Sequence, residues 1–420
     1  MLSQYTWKNG PELIQQHSIA KHRILESYLA AYFQTLVGNQ PRDEFKLTLV
    51  DGFAGGGLYF HEDTRELVKG SPFIFLQAEQ EAQYSINKDR TKPVRIDISH
   101  FFVEWKKDAY LHLEDALRKA GYGHRIGSSI HLRNAKFELE AEKIIEFIRK
   151  KSPRNGRSIF ALDQFGYNAV PTSLIRKILN SLPGAEIILT FAVDSLLNYG
   201  NEENLANGFK KIQIPDILAG RTLREIKQSD RDWRLLMQAT IYSNLVTQCG
   251  AKHYTPFFVR NRSGHGDYWL IHLSQHHRAR DVMTDVHWKN QNYFIHYGGP
   301  GLHMFNMLGY DPNFDSQHRG QTELGFEFDP LAKKASVTAL MEQIPRVIYA
   351  HEEGVSYGVL YATTCNDSPA SGEIYRESLE QLVQQNTIEI ISSDGTRRKS
   401  ANQIRATDQI IPPTQRSLFV

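Results

Sequence analysis

The segment that most constrains the fold is a short apolar strand followed by a glycine-rich loop. Residues 46–50 (KLTLV) read as a buried strand that ends at Asp51 and runs into Gly-Phe-Ala-Gly-Gly-Gly at 52–57. Glycines let the backbone turn with positive φ and approach a ligand closely. In an open parallel sheet, ligands bind at such loops, outside the carboxyl ends of the strands. This segment therefore predicts the first strand and ligand loop of a doubly wound α/β sheet.

Strand-like and helix-like segments alternate over the first 200 residues. Further strands are predicted at 99–104, 128–132, 158–163 and 186–193, and helices at 12–37, 106–119, 137–150 and 171–182, with another starting at Gly70-Ser71-Pro72. Such alternation is typical of βαβ units around a parallel sheet, which makes the fold class α/β and Rossmann-like. Residues 200–300 are less regular, with antiparallel strands expected at 256–260 and 267–273 and a helix near 275–290.

Three regions are expected along the chain. Residues 1–300 form the Rossmann-like domain, including a histidine- and aromatic-rich part at 200–300. Residues 301–329 are rich in Gly, Asn, Asp and Pro and read as a linker. Residues 330–420 contain two helices followed by strand-like segments around an Asp394-Gly395 turn, which is the pattern of a winged helix.

Charge and cysteine content exclude several classes of protein. The net charge is +2, from 49 basic and 47 acidic residues, so any binding to nucleic acid must use a local patch. Cys249 and Cys365 support neither a disulfide framework nor a four-cysteine zinc site, and they fit a reducing cytosol. An apolar run of 18 residues is absent, and the N-terminus lacks the core of a signal peptide. We therefore expect a cytoplasmic protein without a membrane partner.

The glycine loop also limits which class of cofactor the protein is expected to bind. The dinucleotide fingerprint G-x-G-x-x-G and the phosphate loop G-x-x-x-x-G-K-[ST] are both absent, which disfavours NAD and ATP. The form D-x-F-x-G-x-G is that of S-adenosylmethionine (SAM)-dependent methyltransferases. Glu104, at the end of the second strand, is placed to accept hydrogen bonds from ribose hydroxyls. The predicted SAM contacts are Asp51, Gly52, Phe53, Ala54, Gly55, Gly57, Glu104 and, for the adenine amine, Asn134. The alternative is a tight turn without a ligand.

A catalytic site is expected at the end of the fourth strand. Asp163-Gln164-Phe165-Gly166 lies where amino-methyltransferases carry D/N-P-P-Y/F, whose first side chain holds the target amine and whose aromatic ring stacks on the target base. The match is partial because Gln164 replaces the first proline. Asp163 and Phe165 are the predicted catalytic residues, with simple packing of Phe165 as the alternative.

Basic and aromatic residues in two regions suggest contacts to DNA or RNA. Eight histidines fall between 253 and 303, interleaved with arginines and aromatic residues, which can contact phosphates and stack on bases. The predicted nucleic-acid contacts are Arg260, Arg262, His276, His277, Arg278 and Arg280 there, and Arg397, Arg398 and Lys399 on the wing. A solvated helix face is the alternative for the first group. The acidic helix at 370–385 leaves protein docking open for the winged helix, and no metal site is predicted.

These motifs together resemble the three-Cys-motif partner (TcmP) family. The resemblance covers most of residues 12–290, through His17–Lys21, VDGFAGGG, Phe102-Val103-Glu104, Asp163-Gln164-Phe165-Gly166 and Trp269–His277. It implies a methyltransferase-like Rossmann core, a setting in phage-defence loci and a three-Cys-motif, radical-SAM-like protein as partner. This chain departs from the family at Gln164, where proline is common, and at Gly56, where G-P-G is common.

Three functions remain open on the sequence alone. The first is a SAM-dependent methyltransferase that acts on nucleic acid, at a base amine. The second is a Mg²⁺-dependent nucleic-acid-processing enzyme in which Asp51, Glu104 and Asp163 converge on the metal. The third is a non-catalytic adaptor that docks the three-Cys-motif partner.

Overall fold

The computed structural model describes two compact units of the chain, Met1–Val286 and His287–Val420. The residues described are 7, 10–38, 42–164, 169–191, 207, 210–213, 225, 243–259, 268–290, 294–296, 299–302, 326–351 and 353–413. The division falls within a helix rather than at the predicted boundary at residue 300.

The first unit is an α/β domain. Its elements in chain order are β1 (Glu12–Ile14), α1 (Gln16–Phe33), β2 (Glu44–Asp51), β3 (Leu58–His61), β4 (Leu67–Lys69), α2 (Ser71–Asn87), β5 (Arg95–Val103), α3 (Lys107–Lys119), β6 (Ile130–Arg133), α4 (Phe137–Lys151), β7 (Ser158–Leu162), α5 (Thr172–Ser181), β8 (Ala185–Phe191), β9 (His253–Val259), β10 (Tyr268–Ser274) and α6 (His277–Lys289). The predicted strands and helices of this region are present, with ends that differ by a few residues.

The central sheet of this unit is mostly parallel. Its order is β6-β5-β2-β7-β8-β10-β9, in which β6 through β8 run parallel and β10 is antiparallel to both of its neighbours. Across the sheet from β6 to β8, the five parallel strands are the third, second, first, fourth and fifth in chain order. The strand order therefore reverses beside β2, and this switch point is where ligands bind in open α/β sheets. The core is methyltransferase-like, as the sequence predicted.

A small three-stranded sheet lies outside the central one. The hairpin β3–β4 follows the glycine loop directly, and β1 pairs in parallel with β3. These strands are only three or four residues long and are not fully buried, so they lack the continuous apolar run by which a core strand is recognised. The predicted helix over 12–37 was therefore wrong at its start, where β1 precedes α1.

The second unit contains the predicted winged helix. Its elements are β11 (Phe294–His296), β12 (Phe326–Glu327), α7 (Pro330–Tyr349), β13 (Val355–Ser356), α8 (Tyr357–Thr364), α9 (Gly372–Gln384), β14 (Glu389–Ile391), β15 (Arg397–Arg398) and β16 (Gln409–Ile411). Asp329 caps α7 by accepting the Ala332 N–H at 2.7 Å, and Pro330 occupies the first helical position. The sheet order is β13-β16-β14-β15, with the wing between β14 and β15. The sequence missed α8, a helix of eight residues.

Part of the expected linker belongs to this second unit. Leu302 is buried in the same core cluster as Leu340 and Ile374, and its N–H donates to Gln343 Oε1 at 2.6 Å. Residues 303–325, which make up most of the predicted linker, lie outside the described part of the chain.

Candidate functional site

Asp51 ends β2 at the switch point of the sheet and is almost fully buried, with 1% of its surface exposed. Its Oδ1 accepts the Phe53 N–H at 3.1 Å, and the Ser71 hydroxyl also interacts with the carboxyl group. Oδ2 is buried and has no well-formed hydrogen bond to a described residue. Burial raises the pKa of Asp51 to about 7, and the nearby carboxylates of Asp163 and Glu104 act in the same direction. A buried carboxylate with an unmet oxygen is placed to receive a hydrogen-bond donor or a cation.

The glycine loop that follows is shaped by close packing. A Cβ on Gly52 would lie 2.7 Å from Leu162 Cδ2, and Gly55 has a φ of +59°, which favours glycine. A Cβ on Gly56 would lie 2.3 Å from two ring atoms of Trp7. A side chain at position 56 would therefore collide with that indole. The predicted contacts Phe53, Ala54 and Gly57 lie in the same loop.

Glu104 follows β5 and ties two loops together. Its Oε2 accepts the Gly55 N–H at 2.9 Å, and its Oε1 accepts the Lys106 N–H at 2.7 Å. Burial raises the pKa of Glu104, while these backbone donors oppose that effect. Each carboxylate oxygen can accept a further bond. Glu104 is thus fixed beside the glycine loop, where the prediction of a ribose contact requires it.

Asn134 lies just beyond β6, next to Glu104. Its Nδ2 donates to the backbone carbonyls of Glu104 at 2.8 Å and Trp105 at 3.2 Å. These bonds fix the amide plane and leave the side-chain oxygen as the group that would accept from an adenine amine.

Trp105 is a residue of this site that the sequence reasoning missed. It directly follows Glu104, its carbonyl accepts from Asn134, and 57% of its surface is exposed. A large aromatic residue next to a ribose-binding acid is placed to stack on a base. Its position immediately after the acid was the available signal.

Asp163 follows β7 and forms an ion pair that the sequence did not predict. Lys21 Nζ of α1 lies 2.6 Å from Asp163 Oδ1 and 2.7 Å from Oδ2. Burial alone would raise the pKa of Asp163, but the Lys21 ammonium and the Thr190 hydroxyl hold it below the ordinary value. The carboxylate is therefore ionised at neutral pH, as a hydrogen-bond acceptor for a substrate must be.

The rest of the predicted catalytic motif divides into two parts. Gln164 is buried, and its Oε1 accepts the N–H groups of Ala169 at 2.9 Å and Val170 at 3.1 Å. The Gln164 side chain is thus used to hold the backbone just before α5. Phe165, the second predicted catalytic residue, lies outside the described residues.

The three strand-end acids do not form a metal site. Within the described part of the chain, His, Cys, Asp and Glu side chains form no group of three placed to hold a metal ion. Both oxygens of Glu104 accept backbone N–H groups, and both oxygens of Asp163 face Lys21. The expected convergence of Asp51, Glu104 and Asp163 on Mg²⁺ therefore has no support in this geometry.

The histidine-rich region places some predicted nucleic-acid contacts at the surface. His276 is exposed and stacks on His277 with ring centroids 4.5 Å apart. Arg278 is 53% exposed and pairs with Asp281 at 3.0 Å. Burial lowers the pKa of His277, and the neighbouring His276 adds to this effect. Arg260 and Arg262 lie outside the described residues.

Arg280 was wrongly predicted as a surface contact, because its side chain is fully buried. Met283 and Thr284, three and four positions along α6, are also fully buried, so helical periodicity places Arg280 on the inward face. Arg280 interacts with other groups of the protein, as a buried charge must. It is not available to a phosphate in this structure.

The basic residues of the wing are partly neutralised by acids. Arg398 donates to Asp408 at 2.5 and 3.1 Å, and Arg397 lies 3.3 Å from Glu389. Lys399 is exposed. The wing can still present positive charge, but two of its three predicted contacts share that charge with an acid.

The outer face of α9 is acidic. Glu373 and Glu377 both pair with Lys333, at 2.9 and 3.2 Å. Glu380 accepts the Ser400 hydroxyl at 2.7 Å, and a groove beside it is lined mainly by glutamate and glutamine. This charge is unfavourable for insertion into a DNA groove.

A comparison with known protein families identifies a domain near the C-terminus. Residues 309–395 match the family model described as a GMT-like wHTH domain, that is, a winged helix-turn-helix. This match covers the C-terminal region alone. No curated protein matches the sequence.

Several solved structures align with the chain at low similarity. A Legionella pneumophila protein is 11% identical with a TM-score of 0.32, over 61% of this chain and 85% of its own. A putative SAM-dependent methyltransferase from Methanococcus maripaludis is 12% identical with a TM-score of 0.27, over 66% and 96%. A putative Streptococcus mutans methyltransferase, solved with S-adenosylhomocysteine, is 12% identical with a TM-score of 0.24, over 58% and 95%. The assignment of the core rests on its strand order rather than on these scores.

Within the described residues, no helix is both long and apolar enough to cross a bilayer.

Proposed function

We propose that this protein is a SAM-dependent methyltransferase whose acceptor is an amine of a nucleic-acid base. The observation that carries the proposal is the unmet, buried Oδ2 of Asp51 at the switch point of the sheet. Such a group costs stability unless a ligand satisfies it, and costly groups of this kind concentrate at functional sites.

Four side chains would hold the cofactor along the carboxyl edge of the sheet. Asp51 would accept from the ammonium group of the methionine part, and Glu104 would accept from the ribose hydroxyls. Asn134 would accept from the adenine amine, and Trp105 would stack on the adenine ring. Their order follows the order of β2, β5 and β6 in the sheet, so one extended nucleoside can meet all of them.

The protein's part in the reaction is alignment. Bound SAM would supply a methyl group on a positively charged sulfur. The acceptor lone pair would form the new bond to carbon as the carbon–sulfur bond broke, and the surplus proton of the acceptor would pass to solvent. Asp163 would accept a hydrogen bond from the N–H group of the substrate and so direct the lone pair of the substrate nitrogen at the methyl group.

Nucleic acid is the proposed acceptor because of the C-terminal unit. Winged helix-turn-helix domains place a helix or wing against DNA, and Lys399 on the wing is exposed. The acidic face of α9 favours contact through the wing rather than through that helix. His276, His277 and Arg278 would add contacts from the first unit.

A second candidate is an adaptor that docks a protein through α9. The acidic face formed by Glu373, Glu377 and Glu380 favours it, because such a face suits a basic protein surface better than a phosphate backbone. The three-Cys-motif, radical-SAM-like protein implied by the TcmP resemblance is the proposed partner, in a phage-defence setting. We also propose a cytoplasmic location, as the cysteine content predicts.

The test measures methyl transfer and cofactor binding separately. Full-length protein is incubated with methyl-labelled SAM and with DNA or RNA, and S-adenosylhomocysteine binding is followed by calorimetry. We expect Asp163→Ala to abolish transfer with cofactor affinity largely retained. Asp115→Ala, which removes an exposed aspartate paired with Lys119, is the matched control and should transfer normally. Normal turnover by Asp163→Ala would refute the role of Asp163, and binding of a basic partner without any transfer would favour the adaptor.

A further inference from the structure

Lys21 stands out because it is a charged residue on the buried side of a helix. In α1, Ile24, Leu25 and Tyr28 are all buried, and they follow Lys21 by three, four and seven positions. This spacing places Lys21 on the same face as these apolar residues. The Lys21 side chain is only 10% exposed, and lysine is seldom buried unless it is paired.

The partner of Lys21 is more exposed than Lys21 itself. The side chain of Asp163 is 41% exposed, and both of its oxygens lie within 2.7 Å of Lys21 Nζ. A ligand that enters from solvent therefore meets the carboxylate first, with the ammonium behind it. Lys21 therefore pairs with Asp163 and leaves its carboxylate accessible to a ligand.

We propose that Lys21 is a positioning residue that fixes Asp163 as the acceptor for an uncharged N–H group of the methyl acceptor. The proposal rests on the methyltransferase function proposed above and specifies its substrate class. It selects nitrogens that are neutral at physiological pH, such as exocyclic base amines, over alkylammonium groups such as lysine side chains.

The electrostatic reason lies in the charges around the carboxylate. An isolated carboxylate would attract a cationic amine, but the Lys21–Asp163 pair already contains its positive charge. A cationic acceptor would place another positive charge beside Lys21 and beside the sulfonium of the cofactor, which is unfavourable at close range. A neutral N–H donor gains the charge-assisted hydrogen bond without that repulsion.

Three other groups lie close enough to Asp163 to act on its carboxylate. His22 neighbours Lys21 on α1, and burial lowers the pKa of its imidazole to about 4, so it is neutral at physiological pH. Thr190 of β8 contributes a hydroxyl hydrogen bond, and Asp51 of β2 contributes a second carboxyl group that interacts with Asp163. Among the described residues, Lys21 contributes most to holding Asp163 ionised against burial.

The first test follows the ionisation of Asp163 directly and needs no substrate. Full-length protein is labelled with aspartate carrying ¹³C in its side-chain carboxyl, and Asp163→Asn identifies the Asp163 resonance. We expect Lys21→Met to move the titration of that resonance to higher pH, and Lys21→Arg to preserve the wild-type titration because the positive charge remains. Lys177→Met, which removes a lysine paired with Glu142 at the surface, is the control and should leave the resonance unchanged. An unchanged titration in Lys21→Met would overturn the proposal.

The second test addresses substrate choice. Wild-type protein with labelled SAM is offered unmodified oligonucleotides and, separately, polylysine. We expect transfer to the oligonucleotides alone, a lower kcat for Lys21→Met with an unchanged KM for SAM, and a low-pH limb of kcat that lies at higher pH than in wild type. Lys21→Arg should recover much of the kcat.

The two tests separate the possible failures. Equal transfer to polylysine, or an unmoved low-pH limb in Lys21→Met, would refute the selection of neutral acceptors. A wild-type protein that does not bind SAM would refute the methyltransferase function. In that case the resonance of Asp163 still decides whether Lys21 controls this carboxylate.

Discussion

Replacement of Asp51 by asparagine should change how the stability of the protein depends on pH. Burial raises the pKa of Asp51 from 3.8 to about 7 in the folded protein. The unfolded chain loses this proton near the ordinary pKa, whereas the folded chain keeps it until about pH 7. Between these values the unfolded chain binds fewer protons, so the free energy of unfolding falls as pH rises and becomes level above about pH 7.

The expected size follows from the same two pKa values. A difference of about 3 pH units, at about 1.4 kcal/mol each, corresponds to roughly 4 kcal/mol of stability lost between about pH 4 and pH 8. The asparagine side chain cannot ionise, so the variant lacks this loss. Its new amide donor is buried and costs about 1–3 kcal/mol, but that cost does not depend on pH. The free energy of unfolding of Asp51→Asn minus that of wild type should therefore rise by roughly 4 kcal/mol from about pH 4 to pH 8.

Urea unfolding followed by circular dichroism at several pH values measures this difference. Titrating groups distant from Asp51 contribute equally to both proteins and cancel in the subtraction, whereas Asp163 and Glu104 are coupled to Asp51 and add a smaller change. Asp115→Asn, at an aspartate that is 58% exposed in its side chain, is the control and should show no such rise. If the difference in free energy of unfolding between Asp51→Asn and wild type does not change over this pH interval, the buried Asp51 does not have a raised pKa and the reasoning is refuted. The same variant should bind S-adenosylhomocysteine more weakly.

Three further substitutions test other parts of the structure. Gly56→Ala should lower the free energy of unfolding in urea by about 1–3 kcal/mol, because its Cβ would lie 2.3 Å from the Trp7 ring; Gly123→Ala, whose Cβ would have its nearest neighbour 3.5 Å away, should be near neutral in the same urea assay. Trp105→Ala should weaken S-adenosylhomocysteine binding by about 1–3 kcal/mol in calorimetry, with little change in melting temperature because Trp105 is exposed; unchanged affinity would exclude stacking. Arg398→Ala should lower the midpoint of unfolding of the winged helix, since it removes two charge-assisted bonds from the buried Asp408; an unchanged unfolding curve would contradict this.

The parts of the fold that were predictable are those with a local signal. The strands β2, β5 and β7 are buried along most of their length and end in runs rich in apolar residues, and such runs mark the strands of a parallel sheet. The glycine loop after β2 and Glu104 after β5 together predicted that the candidate site lies at the carboxyl ends of the parallel strands. The short strands β1, β3 and β4 carry no such run, so their pairing could not be read from the sequence.

The parts that were not predictable depend on contacts distant in sequence. Lys21 and Asp163 are separated by 142 positions, and only the packing of α1 brings them together. Arg280 was misplaced for a different reason, because its position relative to Met283 and Thr284 already indicated an inward face. Composition alone had suggested a surface patch there, and helical periodicity is the stronger guide.

The most direct test of the methyltransferase account is a crystal structure of the full-length protein with S-adenosylhomocysteine, supported by calorimetry in the same buffer. The account predicts saturable binding and ligand density across the ends of β2, β5 and β6. The amino group should lie at Asp51 Oδ2, the ribose at Glu104 and the adenine between Trp105 and Asn134. Absence of binding at millimolar ligand, or density elsewhere on the protein, would contradict it.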